Sequence, residues 1–472
     1  MSIARVNRIE SVDGAPVRFP NGINTAPEIG LIGTPGTLGF GVGAYPNSAR
    51  FGLYPLNSAE DMESDTYGNY QANNGSVFVF VPKFYYRYAS TQNPTYATYG
   101  LNSIDIAGTD RFVNKASANA AGYAMPRAFI DGGRELDGFF YFKYFASRDG
   151  NTVLSLPNRS PISLTTDANY TRSSDMTDCT GILADAVTLA RTVVPGFSHA
   201  TSIFQRSALA LLSLAHGQAA TSAAHCAWYD ASNTTNFPKG CNDNSLGDTN
   251  DAEVIYVTAG DTGNAAKPLT GSGAPFSKTT HNGQPSGIAD LNGSMWEVLL
   301  GITAPGTSAT DSTQRLNGDV YALKESVALA NLLAGWTQGG VTGDANNAWG
   351  DATHLATLYD AKTALLPWAD EENWQRFGNG SNQVFDEALS GDGWLRTNSG
   401  IPQDTDGISA GGTNLFGVDG CYRYNRANVF PLGGGNWYST ASAGVFARYW
   451  SSPRSSVTAG SSFRAAVPAF GQ

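Results

Sequence analysis

Two runs of β-branched and aromatic residues constrain this chain most. The first is Val77-Phe78-Val79-Phe80-Val81-Pro82-Lys83-Phe84-Tyr85-Tyr86-Arg87-Tyr88, and the second is Phe139-Phe140-Tyr141-Phe142-Lys143-Tyr144-Phe145. Such side chains suit a pleated, buried surface and lose rotamer freedom in a helix, so both runs predict strands. Pro82 has no amide proton and marks an edge, bend or bulge. Between the runs, Pro126-Arg127-Ala128-Phe129 and Asp131-Gly132-Gly133 read as strand and turn. β character returns after Gly411. There Gly433-Gly434-Gly435-Asn436-Trp437 reads as a turn, and Ala443-Gly444-Val445-Phe446-Ala447-Arg448-Tyr449-Trp450 and Ser461-Ser462-Phe463-Arg464-Ala465-Ala466-Val467 as strands. Trp437, Phe446 and Phe463 are the expected core anchors of that stretch.

Helical periodicity is confined to three segments. Residues 202–218 place Ile203, Leu209, Leu212 and Ala215 on one face, with Ser202 as N-cap and Gly217 as a stop. Residues 321–334 and 351–366 are the other two, the last ended by Pro367. The fold class predicted is therefore α+β. Residues 1–75 are rich in Gly, Pro and Asn and hold too few apolar residues to close a core alone. They read as a small β-rich N-terminal attachment or oligomerisation module lying against something larger. Long polar loops at 230–251 and 260–282 read as insertions.

Composition and charge narrow the function. With 54 Gly and 22 Pro, the composition argues against coiled coils and helical repeats. The 9 Trp, 21 Tyr and 23 Phe supply a core that a disordered chain lacks. Lys plus Arg is 29 against 40 Asp plus Glu, a net charge of −11 without a basic cluster, so no nucleic-acid partner is expected. No apolar run approaches the roughly 20 residues of a membrane span, so no membrane insertion is expected. The first residues, Met1-Ser2-Ile3-Ala4-Arg5-Val6, lack the apolar stretch of a secretory signal.

Chemistry-bearing residues are sparse. Cys179, Cys226, Cys241 and Cys421 form no CxxC. His199, His216, His225, His281 and His354 are scattered and read as hydrogen-bonded structural residues. Asp243, Asp248 and Asp251 share an Asn/Asp-rich loop whose oxygens suit a structural Ca²⁺, without EF-hand spacing. No other metal, cofactor or catalytic residue is predicted.

Gly287-Ile288-Ala289-Asp290-Leu291-Asn292-Gly293-Ser294-Met295-Trp296-Glu297-Val298 resembles the G-x-x-D-x-x-G-N-x-W-E signature of formylglycine-generating enzymes, the sulfatase-modifying factors, with Ser294 where Asn is usual. Gly434-Gly435-Asn436-Trp437 and Phe463-Arg464-Ala465-Ala466 look like that family's last strands. Gly138-Phe139-Phe140-Tyr141-Phe142-Lys143-Tyr144 looks like its early F-x-x-D-K-Y-E strand, with Phe142 where the acid is usual. The resemblance implies a C-type-lectin-like domain over residues 76–472, with insertions at about 150–285 and 300–415. In it, Asp290, Asn292, Gly293, Trp296, Gly434, Gly435, Trp437, Phe463 and Arg464 would hold the fold. Copper catalysis in that family uses two nearby cysteines in the C-terminal half, where this chain has Cys421 alone. An oxidase is therefore the disfavoured alternative, and no enzyme activity is expected.

A narrower likeness covers residues 411–472. The letters Gly434-Gly435-Asn436-Trp437, Ala443-Gly444-Val445-Phe446-Ala447, Arg454-Ser455 and Phe463-Arg464-Ala465-Ala466 resemble the variable region of diversity-generating retroelement target proteins. In that family the fixed letters are interrupted by positions whose Asn codons are rewritten by adenine mutagenesis. The matching interruptions here are Tyr438, Ser439, Ser442, Tyr449, Ser451, Ser452, Ser456, Thr458 and Ala459, with Tyr422, Tyr424 and Asn425 upstream. Tyr supplies stiff amphipathic contact area and Ser adaptable hydrogen bonds, the chemistry of a binding surface. Several members of that family are phage tail-tip receptor-binding proteins. The likeness therefore implies a host cell-surface receptor, protein or glycan, as ligand, and other phage tail proteins as partners of the N-terminal module. It also implies a homotrimer, and a place in the virion tail after synthesis in the bacterial cytoplasm. A cellular lectin-like adhesin is the other alternative.

Overall fold

The computed structural model describes residues 29–165, 182–231, 237–240, 247–248, 251–255, 268–304, 318–333, 358–366, 373–377, 382–404, 415–416, 419–423, 429–439, 442–452 and 456–471. In chain order the strands that build its two main sheets, and one outlying hairpin, are β1 (Leu53–Pro55), β2 (Asn69–Ala72), β3 (Val77–Pro82), β4 (Phe84–Tyr88), β5 (Ile104–Gly108), β6 (Gly138–Phe142) and β7 (His199–Ala200). They continue with β8 (Trp296–Val298), β9 (Asn373–Arg376), β10 (Gly420–Arg423), β11 (Leu432–Gly433), β12 (Arg448–Trp450), β13 (Ser461–Ser462) and β14 (Ala465–Ala469). The mixture of helices and sheets is an α+β arrangement.

The first sheet has the order β1-β2-β3-β6-β14-β7, antiparallel throughout. The two aromatic runs pair directly, Phe80 opposite Phe140 and Phe78 opposite Phe142. At the end of β3, Pro82 stands opposite Gly138, where a Cβ would lie 2.4 Å from the Val81 carbonyl oxygen. The run breaks there, and β4 leaves to pair with β5 as a separate hairpin. The second sheet has the order β9-β10-β12-β11-β8-β13 and is mixed, with β10/β12 and β8/β13 parallel. β13 and β14 follow one another across Phe463-Arg464, so the last strands join the two sheets. The turn expected at Asp131-Gly132-Gly133 is a hairpin between Ile130–Asp131 and Arg134–Glu135, with φ of 59° and 76° at the two glycines.

The helix Ile203–Ala219 is capped as its sequence predicts. The Ser202 hydroxyl accepts from the Gln205 amide at 3.2 Å, and Gln205 Oε1 accepts from the Ser202 amide at 3.0 Å. It is buried all round from Ile203 to Gln218, so its polar side chains need internal partners. Where two more helices were expected, the described residues form strands at Val320–Leu323 and Tyr359–Lys362. Val320–Leu323 is a strand between Ile302–Thr303 and Tyr359–Lys362, followed by a 3-10 turn at Leu329–Leu333. Cross-strand pairing of apolar side chains there outweighs a weak local helical preference. Residues 351–357 lie outside the described residues.

Residues 29–75 share the sheet and the core of the rest. β2 pairs with β3 across the boundary expected at residue 75, and Phe40, Val42, Tyr45, Phe51 and Tyr70 belong to the main hydrophobic cluster. Too apolar-poor to close a core alone, this segment completes a shared one. Two histidines pin it. His216 Nδ1 accepts from the Gly36 amide at 3.0 Å, Nε2 meets the His225 carbonyl at 2.9 Å, and the ring stacks on Phe40 at 5.1 Å. His281 Nδ1 accepts from the Ile288 amide at 3.0 Å, and Nε2 meets the Gly41 carbonyl at 3.2 Å.

Each ring thus accepts at Nδ1 and donates at Nε2, the pattern of a neutral imidazole. Burial pushes their pKa values down from 6.5 to about 4 for His216 and about 3 for His281. A depressed folded value means that the unfolded chain binds more protons below 6.5. This contribution to stability is therefore present above pH 6.5 and is lost as pH falls through the folded values. Buried Asp290 and Asp419, whose pKa values burial raises to about 6 and about 7, act with the opposite sign in part of that window. The expected result of acidification toward pH 4 is early loss of hydrogen-exchange protection at Gly36, Gly39 and Gly41, before the β3 and β6 amides. Uniform loss across the chain contradicts it.

Candidate ligand-binding face

The Gly287–Val298 motif is organised by a buried carboxylate. Glu297 accepts from Arg206 Nη1 at 2.7 Å and from the Thr201 hydroxyl at 2.6 Å. It also accepts from the Tyr141 hydroxyl, and Arg464 Nε stands 3.5 Å away. Glu297 and Arg464 are fully buried, and Arg206 is nearly so. The same two arginines grip the carbonyls of the motif loop. Arg464 Nη2 donates to Ala289 at 2.6 Å and Asp290 at 3.2 Å, and Arg206 Nη2 donates to Leu291. The loop can present those oxygens because Asp290 and Gly293 adopt left-handed φ of 57° and 67°. Asp290 Oδ2 accepts from the Gly271 amide at 2.8 Å, and Asn292 Nδ2 donates to the Pro238 carbonyl at 2.8 Å.

The C-terminal motif closes on this hub. Gly434 has φ +95°, and a Cβ there would lie 2.5 Å from Arg206 Nη2; at Gly435 one would lie 2.6 Å from Ala443 Cα. Gly434→Ala is expected to cost about 1–3 kcal/mol in backbone strain alone, and more from displacing Arg206. Gly75→Ala has a similar φ of +91° and nothing within 4 Å, so it isolates the backbone part. Urea unfolding of both variants gives the comparison, and equal losses contradict a contact-driven role for Gly434. Trp296, Trp437, Phe446 and Phe463 are all buried.

On the outward face of the second sheet the strands align a row of rings. Trp374 on β9 lies across from Tyr422 on β10, which lies beside Tyr449 on β12. Tyr422 and Tyr449 stack at 4.8 Å with planes 8° apart. Trp374 meets Tyr422 at 5.3 Å, and Trp296 meets Tyr449 at 5.5 Å. The Arg376 guanidinium extends the row, 4.8 Å over the Trp374 ring, and Nη2 donates to the Ser442 hydroxyl at 3.3 Å. Trp374, Arg376, Tyr422, Tyr449 and Ser442 are each partly exposed. The opposite face of this sheet carries Glu297 and Arg448 into the core, where Arg448 Nη2 donates to Ser207 at 3.0 Å.

The structure thus brings Tyr422, Tyr449 and Ser442 together. Tyr438 is 47 % exposed and stands edge-on against buried Trp437 at 4.9 Å. Ser439 folds back on its own turn, its hydroxyl 2.7 Å from Asn436 Oδ1. Ser452, Ser456, Thr458 and Ala459 are half-buried, on backbone pinned at several points. The Ser456 carbonyl accepts from Ile182 at 2.8 Å, and the Thr458 amide donates to Leu164 at 2.9 Å. Ser451 differs from the expectation: it is 7 % exposed, drawn into the core beside Trp450, and does not join the exposed set. Tyr424 and Asn425 lie outside the described residues.

Sequence reasoning missed Trp374 and Arg376, although residues two apart on a strand share a face. It also missed Arg206, Thr201 and Tyr141 as partners of Glu297. The signal for Arg206 was a lone arginine in a helix that otherwise carries no Lys, Arg, Asp or Glu. Cys421 is buried, its Sγ 3.6 Å from the Gly400 carbonyl, and burial pushes its pKa up to about 12, so the thiol stays protonated. Among the described residues no group of three or more His, Cys, Asp or Glu is arranged to hold a metal ion. Asp243 lies outside the described residues, and the side chains of Asp248 and Asp251 do as well. Among the described residues no helix is long and apolar enough to cross a membrane.

The chain matches no family model and no curated protein. The candidate face therefore stands on its own geometry.

Proposed function

We propose that this chain is a phage tail-fibre or tail-tip receptor-binding protein. In this reading residues 76–472 form a C-type-lectin-like domain of the formylglycine-generating-enzyme kind. Residues 411–472 are the region varied by a retroelement, and the outward face of the second sheet meets the host receptor. One observation carries the reading. Of the positions that interrupt the fixed letters or stand in the run upstream, Tyr422, Tyr438, Ser439, Ser442, Tyr449, Ser452, Ser456, Thr458 and Ala459 are at least partly exposed and Ser451 is buried, while the fixed letters Trp437, Phe446, Phe463 and Arg464 are buried. A surface that must tolerate change needs that separation, because substitutions outside the core cost little stability.

The flanking DNA tests the proposal. The expected finding is a near-copy of the segment encoding residues 411–472, with Asn codons at the interrupting positions, beside a reverse-transcriptase gene. Its absence from the source genome defeats the diversification reading. We further propose a homotrimer, since repeated display turns weak single contacts into strong attachment. Multi-angle light scattering is expected to give three times the chain mass, and a monomer at micromolar concentration contradicts it.

A further inference from the structure

We propose that a cleft beside β1 and β2 binds a single neutral pyranose ring, held by the side-chain amides of Asn73 and Asn151 over a floor of valines. None of the residues lining it lies within 411–472, so the inference goes beyond the receptor-binding reading and does not rest on it.

Three segments wall the cleft. They are the turn between β2 and β3, the hairpin of Ser147–Asp149 with Thr152–Leu154, and residues 192–195 after the helix Ile182–Ala190. Hydrogen bonds fix all three in place. The Gly75 amide donates to the Ala72 carbonyl at 2.9 Å and closes the turn, and Asn74 Nδ2 donates to the Val153 carbonyl at 3.0 Å and joins the turn to the hairpin. The Ser198 hydroxyl accepts from the Val194 amide at 2.9 Å and donates to the Ala190 carbonyl at 2.8 Å, which holds the third wall. Between them lies a space of about 270 Å³, and a Cβ on Gly52 would meet only Val194 there, at 4.0 Å. Sites for drug-sized ligands run from roughly 300 to 1,000 Å³, so this one admits a single ring and not a chain.

The lining specifies the ligand. No Lys, Arg, Asp, Glu or His is among the described residues that line the cleft, so an ionic ligand finds no counter-charge in it. Val153, Val193 and Val194 are buried and give it an aliphatic floor. Asn73, Asn151 and Thr152 are exposed at its rim, and among the described residues their side chains make no hydrogen bond. Each amide offers two donors and an acceptor, and the Thr152 hydroxyl offers both roles. A wholly apolar ligand would strip water from these groups and leave them unpaired, at a cost. No aromatic ring lines the cleft, so a nucleobase finds nothing to stack on. A neutral pyranose suits both halves. Its C–H face packs on the valines, and two adjacent hydroxyls, each able to donate and accept, pair with a side-chain amide.

Methyl NMR of the full chain with labelled valines tests this. The neutral probes are the methyl glycosides of glucose, galactose, mannose and N-acetylglucosamine. Methyl glucuronoside and N-acetyl-asparagine amide serve as the charged and peptide-like controls. The expected result is a saturable shift of the Val153, Val193 and Val194 methyl signals with at least one neutral probe at millimolar concentration, and weaker or no binding of both controls. Combining Asn73→Ala with Asn151→Ala should weaken binding of that probe at least about tenfold, the loss of two ordinary hydrogen bonds. Absence of a shift with every neutral probe leaves only a hydrated cleft and overturns the proposal. Shifts confined to Val445 and Val457, or a control that binds as tightly as the neutral probes, overturn it too, as does unchanged binding by the folded double variant. If that variant does not fold, the comparison of probes and shifted valines in the unaltered protein still decides.

Discussion

Glu297→Ala is expected to destabilise the protein by about 3–5 kcal/mol, the cost of removing one partner from a buried ion pair. Two guanidiniums, Arg206 at 2.7 Å and Arg464 at 3.5 Å, would lose their carboxylate in a site that water does not reach. Thr201 and Tyr141 would lose their acceptor at the same time. Since a domain is stable by only about 5–15 kcal/mol, this approaches the whole margin. Glu297→Gln keeps an acceptor for the two hydroxyls and removes only the charge, so a smaller loss is expected. Urea denaturation read by tryptophan fluorescence gives both numbers. Stability of the alanine variant within about 1 kcal/mol of the unaltered protein, less than even a single unpaired buried polar group typically costs, rules out a hub role for Glu297.

The second large effect is a double dissociation between neighbours in the chain. Trp437 is 1 % exposed and Tyr438 is 47 % exposed, one residue apart. Trp437→Ala is expected to cost about 3–5 kcal/mol of stability, because it empties a large buried volume. Tyr438→Ala loses an edge-on contact with Trp437, about 0.5–1.5 kcal/mol. In binding the order reverses. A central Tyr at an interface carries about 2 kcal/mol or more, about 30-fold in affinity. Tyr438→Ala is therefore expected to melt nearly normally and fail to adsorb to host cells. Tyr449→Ala belongs with it in binding but is expected to cost somewhat more stability, since it removes partners from both Tyr422 and Trp296. Melting curves paired with adsorption assays decide. If Tyr438→Ala and Tyr449→Ala both adsorb like the unaltered protein, the binding face is misplaced.

Much of the local structure was legible because it depends on neighbours in sequence. The Val77–Pro82 and Gly138–Phe142 strands, the break at Pro82, the Gly132-Gly133 turn and the Ser202 cap follow from side-chain shape, a missing amide proton, positive φ and a three-residue hydrogen-bonding span. Burial of Trp437, Phe446 and Phe463 followed from their size and apolarity. Over Val320–Leu323 and Tyr359–Lys362 strand replaces the helix expected, because the apolar spacing there also fits strands, and only a partner strand chooses between the two. The pairing of β2 with β3 across residue 75 was not legible for a similar reason, since a segment poor in apolar residues can complete a core it cannot build. The site was half legible. Tyr422, Tyr438 and Tyr449 stood out by composition, but Trp374 and Arg376 join Tyr422 only through pairing across more than forty residues. Glu297 carried no sign of its partners, because Tyr141, Thr201, Arg206 and Arg464 lie far apart in the chain and meet only where the two sheets and the buried helix close on one another. Sequence by itself determined which residues seek the interior and how short segments bend. Tertiary structure alone decided which buried charges neutralise one another and which exposed rings share a face, since those depend on distances between segments that no local preference encodes.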